Sequence, residues 1–124
     1  MSREWWFYLD DLIGFCHHIL EYTQGMSRED FEADKRTYDA TLRNLELIGE
    51  AAKRIPLSVR QRYLQIPWNE LIGTRNILTH VYFGVDDNIV WNIIDQEIQP
   101  LLETLKQIQK QTKGREHGLD LSHE

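Results

Sequence analysis

The stretch from Trp68 to Gly84, which follows Pro67, constrains this chain more than any other. Proline is favoured at a helix start and glycine just past a helix end, so the segment is expected to be one helix. Side chains placed at about 100° per residue put Leu71, Arg75, Leu78 and Tyr82 on one face. Ile72, Asn76, Thr79 and Phe83 lie roughly a quarter-turn away, and Ile77 and Val81 lie on the far side. A helix apolar almost all round is expected to be buried and central. This one nonetheless carries Arg75 and His80. A charged side chain is seldom fully buried without a partner, so these two residues are either satisfied by the structure or line a groove that does chemistry.

The 124 residues suffice for one domain with its own core. A single cysteine, Cys16, rules out a disulfide framework within the chain and fits a reducing, cytoplasmic setting. No apolar run approaches the ~20 residues a membrane span needs. The aromatic patch after Arg3 and Glu4 lacks a basic region and a cleavage site, so no signal peptide is expected. A net charge of -6 argues against holding nucleic acid by bulk electrostatics. Any RNA or DNA substrate therefore needs a local groove of positive charge. Four tryptophans and five tyrosines are generous for this length and suit an interface.

Taken in order, residues 4–23 place Leu9, Leu12, Cys16 and Ile19 at spacings of three and four, predicting a first helix that ends at Gly25. Ser27-Arg28-Glu29-Asp30 is close to a capping box and predicts a short helix over 28–34. Tyr38, Leu42, Leu45, Gly49 and Ala52 predict a third over 36–54, ended by Pro56. Its small residues Gly49, Ala51 and Ala52 admit a close neighbour. One or two helical turns over 58–64 precede Pro67. After Gly84, Asp86 and Asp87 offer caps for a last helix over 87–112, with a seam of Trp91, Ile94, Ile98, Leu101, Leu105 and Ile108. Pro100 should kink it. Nothing in the chain reads as a strand. The expected fold is all-α, an up-and-down bundle of four to five helices over residues 1–113, with 114–124 a flexible C-terminal tail.

A histidine can move a proton near neutral pH, and an arginine presents a planar fork of donors to phosphate. Together they can cleave RNA without a metal. His80 would take the proton of a 2′-hydroxyl or give one to the leaving oxygen. Arg75 would stabilise charge growing on the phosphorus oxygens. Five residues of ideal helix, however, set the two side chains about 140° apart. They converge only if the helix tightens or breaks near His80, or if two copies meet across a dimer.

Arg75-Asn76-Ile77-Leu78-Thr79-His80-Val81-Tyr82 resembles the R-x4-H-x-Y motif of the HEPN superfamily, in its HepT-like toxin branch. Three flanking segments extend the resemblance: Leu47-Ile48-Gly49-Glu50-Ala51-Ala52; Ile66-Pro67-Trp68 with Ile72-Gly73-Thr74; and Tyr82-Phe83-Gly84-Val85-Asp86 followed by Trp91. It covers most of residues 5–108. It implies a homodimeric helical bundle with the motif helix of two subunits at a shared cleft. It also implies a metal-independent ribonuclease, the toxin of a toxin–antitoxin module, that needs no cofactor. The antitoxin would be an MntA-like nucleotidyltransferase that attaches AMP to the motif tyrosine. Carried over, Arg75 and His80 are the catalytic pair, Tyr82 the modified residue, and Asn76 a supporting donor to phosphate or to His80. A two-subunit cleft also answers the 140° separation and concentrates positive charge in an acidic chain. AMP on Tyr82 would set a bulky anion near Arg75.

Other residues carry bland readings. His17 and His18 are adjacent on a helix, cannot point one way, and read as part-exposed polar residues. Cys16 reads as a core thiol. Glu50 is expected either to pair with Arg75 or Arg54 or to be exposed. Asp86 and Asp87 read as caps. His117 and His123 are too scattered for zinc. Arg60 and Arg62 read first as a solvated face, and second as contacts to substrate backbone or an acidic partner. Two alternatives to the enzyme stand: a non-catalytic helical dimer that binds a nucleotidyltransferase or nucleotide, and a structural bundle in which Arg75 is paired internally.

Overall fold

A computed structural model describes residues 3–79 and 84–122, and the side chains of 3–74 and 84–112. The elements are α1 (Trp5–Thr23), α2 (Arg28–Ala33), α3 (Lys35–Arg54), α4 (Leu57–Arg62), α5 (Trp68–Thr79) and α6 (Asp87–Asn92). A π-helical turn (Ile93–Glu97) then leads into α7 (Ile98–Ser122). There is no strand among the described residues. The expected all-α bundle is the fold observed, with four long helices, α1, α3, α5 and α7, forming its frame. α3 packs against α1 on one side and α5 on the other, and α7 closes on α1.

The stripes expected from spacing are the ones that build the core. Leu9, Leu12, Cys16 and Ile19 of α1 are buried against Leu45, Ile48 and Ala52 of α3 and Ile98, Leu105 and Ile108 of α7 in one cluster. Buried Gly49 and Ala52 keep the surface of α3 low where its neighbours approach. Gly25 adopts φ 75°, the left-handed conformation that suits glycine, and reverses the chain after α1. The capping box forms: Ser27 Oγ accepts from Asp30 N–H, and the Asp30 carboxylate accepts from Ser27 N–H. Asp34 caps α3 by accepting from Thr37 N–H at 3.1 Å. This hydrogen bond holds the Asp34 carboxyl below its ordinary range.

Two boundaries differ from expectation. The last helix is not one rod kinked at Pro100; the distortion lies one turn earlier, in the π-turn Ile93–Glu97. Pro100 has no N–H for the carbonyl of Gln96 and its ring crowds that group. Widening the preceding turn to i→i+5 bonding accommodates both, and Ile98 N–H donates to Ile93 O. The helix also runs on to Ser122, past the end expected near 112. The apolar period of the sequence stops after Ile108, while the backbone stays helical to Ser122.

The fold makes two local predictions testable. Burial pushes the Cys16 thiol up to about 12. At pH 8 only about 10⁻⁴ of it is then thiolate, against roughly a quarter for an unfolded thiol. A disulfide reagent at pH 8 is therefore expected to react with Cys16 only after denaturation; rapid labelling of the native protein would contradict the burial. Gly14 sits inside α1 without a positive φ, and a Cβ there would meet nothing within 4 Å. Gly14→Ala is expected to raise stability by about 0.5–1 kcal/mol in denaturant unfolding.

Candidate functional site

The motif segment is strung between two well-anchored ends. Its entry is fixed by Trp68, which is buried in the core cluster. The indole Nε1–H donates to the Tyr63 carbonyl at 2.9 Å, and the Trp68 backbone N–H donates to Ile66 O at 2.9 Å. Leu71 N–H reaches back to Pro67 O at 3.0 Å, so the first turn of α5 starts at the proline. Thr74 Oγ1 donates to the Glu70 carbonyl one turn earlier.

The exit is fixed from Gly84 onward. Gly84 takes φ 81°, again the left-handed region. Asp86 caps α6 by accepting from Asn88 N–H at 2.9 Å. Asp87 is not the cap: it accepts the hydroxyl of Tyr38 on α3, and Asn88 accepts from Arg28 on α2. Burial and the Asp87 carboxylate push the Tyr38 phenol up to about 12, so it stays protonated and donating. These side chains tie the return of the chain to both α2 and α3. Sequence reading missed Tyr38 and Trp68 as anchors, although a tryptophan directly after the helix-opening proline was a visible signal.

Between the anchors, the backbone of α5 carries Arg75 and Asn76 in its last two turns. Their side chains, and His80 and Tyr82 altogether, lie outside the described residues. Leu71 and Ile72, expected to be buried, are only half-buried. α5 therefore lies against α3 on one side without being enclosed. A narrow cleft of about 50 Å³ runs beside it, floored by Leu45, Ile48, Leu71 and Ile98 with Glu70 and Glu97 at its edge.

The remaining candidates fall as follows. His17 and His18 are exposed; His18 stacks on Tyr22 and its Nδ1 lies 3.3 Å from Asn44 Oδ1. Glu50 and Arg54 line one cleft between α1 and α3 but form no ion pair with each other. A pair between Glu50 and Arg75 falls outside the described residues, as do the side chains of His117 and His123. No group of three His, Cys, Asp or Glu among the described residues is arranged to hold a metal, and no described helix is long and apolar enough to cross a membrane.

Comparison with known proteins decides the family. The profile described as ribonuclease HepT-like matches residues 12–108, from the middle of α1 to the last core turn of α7. The chain belongs to the ribonuclease HepT-like family. Among its relatives, a protein of Caldanaerobacter subterraneus subsp. tengcongensis named "Putative RNase" is 39% identical over 106 residues, covering 86% of this chain and 95% of that one. The "Probable ribonuclease HepT" of Thermococcus cleftensis is 37% identical over 110 residues, covering 89% of this chain and all of that one. A "Putative RNase" of Methanocaldococcus jannaschii is 38% identical over 111 residues, with 90% and 92% covered. No solved structure matches the chain. The HepT-like match spans both anchors and the whole motif segment between them.

Proposed function

We propose that this HepT-like chain is a metal-independent endoribonuclease in which Arg75 and His80 are the catalytic pair. One observation carries the reading: the family match covers residues 12–108, the range in which Arg75-x4-His80-x-Tyr82 falls. His80 removes the proton of a ribose 2′-hydroxyl. The 2′-oxygen attacks the adjacent phosphorus, the bond to the 5′-oxygen breaks, and that oxygen takes up a proton. Arg75 holds the phosphoryl oxygens as charge grows on them. Asn76 supports the site as a donor to phosphate or to His80.

The site is read as belonging to a homodimer. Half-buried Leu71 and Ile72, on a helix that α3 covers from one side only, support an interface there. In the cell the protein is read as the toxin of a toxin–antitoxin module. Its antitoxin is an MntA-like nucleotidyltransferase that silences it by attaching AMP to Tyr82. The added phosphate would neutralise Arg75 and its bulk would fill the cleft. Intact mass of the protein co-expressed with such a partner tests this: added adenylyl groups that vanish in Tyr82→Phe support it, and an unmodified Tyr82 in a neutralised complex contradicts it.

The chemistry itself is tested with paired substrates. An RNA is expected to be cut into fragments ending in a 2′,3′-cyclic phosphate, and the same sequence 2′-O-methylated throughout is expected to stay whole. Cleavage of the methylated strand would remove the 2′-hydroxyl, and with it this mechanism.

A further inference from the structure

The acidic chain has two stretches rich in cations and free of acid: residues 104–115 on α7, and residues 51–69, which run from the end of α3 to the start of α5. Between Glu50 and Glu70 there is no Asp or Glu, and four of the chain's 14 Lys and Arg fall there: Lys53, Arg54, Arg60 and Arg62. Lys53 and Arg54 end α3, Arg60 and Arg62 end α4, and the two helices are joined only by Ile55 and Pro56. Lys53, Arg54 and Arg62 are exposed and Arg60 is half-buried. None of the four is in an ion pair among the described residues, whereas Arg3, Arg28, Lys35 and Arg43 each hold a carboxylate. The ends of two helices also bring carbonyl groups to this pole. Cations there satisfy the helix dipoles, and Arg60 Nε donates to Ile55 O at 3.0 Å. That structural use accounts for Arg60; of the other three, all exposed, Arg54 lines the α1–α3 cleft with Glu50 and Asp11, and Arg62 lies 6.0 Å from the centre of the Tyr63 ring.

Beside them the start of α5 and α4 enclose an open groove of about 380 Å³. Its lining includes Leu57 and Leu64, 58% and 78% exposed, Arg60, Gln61, Asn69 and Glu70; Lys53, Arg54 and Arg62 lie outside it. Trp68, at the start of α5, is one of its lining residues. From there the helix axis rises about 1.5 Å per residue, so Arg75 lies only ~10 Å further along. No exposed aromatic ring lines the groove, so the expected grip is on a phosphate backbone and along its sugars rather than by base stacking.

We infer that the α3–α4 pole and its groove form a docking surface for single-stranded RNA, holding the strand next to the segment that enters the motif. The inference rests on the ribonuclease reading and names where substrate lies outside the catalytic residues. Charge complementarity and position are its argument: a strand with one negative charge per nucleotide meets the longest acid-free stretch in the chain, which, unlike residues 104–115, leads directly into α5, and arginine forks suit phosphate. The grip should be tolerant of sequence, because it reads no base edges.

The test uses fluorescently labelled, fully 2′-O-methylated oligouridine, which cannot be cut, and follows anisotropy with the full-length protein over a range of salt. The variant is Lys53→Gln/Arg54→Gln/Arg62→Gln, which spares the Arg60 hydrogen bond; circular dichroism and thermal unfolding check its fold. The control, Arg36→Gln/Lys106→Gln/Lys110→Gln, makes the same charge change at exposed positions on other parts of the surface. The pole variant is expected to bind about tenfold or more weaker, with the slope of log affinity against log salt smaller by about 2, since each phosphate contact contributes roughly 0.7. The control is expected to bind nearly as wild type. Equal loss in both variants, or no loss in the pole variant, overturns the inference, as does failure of the wild type to bind. If the pole variant instead loses only an acidic protein partner, the surface is a protein interface and the RNA assignment is wrong. Normal binding by the pole variant while wild type cleaves RNA sinks the docking surface alone; weakened binding by that variant with no cleavage by wild type sinks the ribonuclease reading alone.

Discussion

His80→Ala and Arg75→Ala are each expected to lower RNA cleavage by about 10²–10⁴-fold while leaving the helical fold in place. In the proposed mechanism, loss of His80 removes the group that moves the proton, and loss of Arg75 removes the charge that meets the transition state. A mixed experiment goes further. On an ideal helix five residues would separate the two side chains by about 140°, so the proposed dimeric site would take Arg75 from one subunit and His80 from the other. Neither variant alone then retains a complete site. A heterodimer of Arg75→Ala with His80→Ala regains one intact site out of two, because one subunit still supplies Arg75 and the other His80. Co-refolding equal amounts is expected to restore roughly a quarter of wild-type activity, since half the dimers are mixed and each has one working site. No recovery, in a sample shown to contain mixed dimers, would place Arg75 and His80 of each site on the same subunit.

Phe31→Ala is expected to cost about 3–5 kcal/mol, a large share of the ~5–15 kcal/mol that keeps a domain folded. Phe31 is fully buried. Its ring packs on Tyr38 at 5.3 Å between centroids and on Trp91 at 5.7 Å. One side chain therefore joins α2 to α3 and to the helix that follows the motif. Its loss leaves a cavity beneath Tyr38, whose hydroxyl holds Asp87. The melting temperature is expected to fall by about 10–20 °C. Phe31→Leu keeps most of the volume and is expected to cost less than about 1.5 kcal/mol. Equal effects of the two substitutions would show that Phe31 does not close this joint.

Much of the fold is legible in the sequence because it is written in two strong signals. Spacings of three and four put Leu9, Leu12, Cys16 and Ile19, and later Ile94, Ile98, Leu101, Leu105 and Ile108, into the core where they are found. Gly25, Pro56 and Pro67 punctuate the elements as their backbone limits require. What escaped depends on contacts between distant parts of the chain. Nothing local announces that Asp87 meets Tyr38, 49 positions away. The site of the Pro100 distortion escaped because a proline strains the turn before it, and whether that strain appears as a kink or as a π-turn is settled by packing. The end of α7 escaped for a different reason: the apolar spacing that marks a helix stops after Ile108, while the helical backbone runs on to Ser122.

The candidate site was legible mainly by resemblance. Periodicity made the Trp68–Gly84 segment a buried helix with two misplaced polar residues. Among the described residues, Leu71 and Ile72 are instead only half-buried against the core. The hydrogen bonds of Trp68 and of Asp86–Asn88 fix the chain on either side of the motif segment.

The central claim is that this chain cleaves RNA without a metal. It is tested most directly by incubating the purified protein, free of partner and of adenylyl groups, with RNA in excess EDTA, and following strand length beside His80→Ala. Progressive cleavage by the wild type, unaffected by the chelator and lost in the variant, is the expected result. RNA left intact by folded wild-type protein, or cut equally well by His80→Ala, would contradict the account.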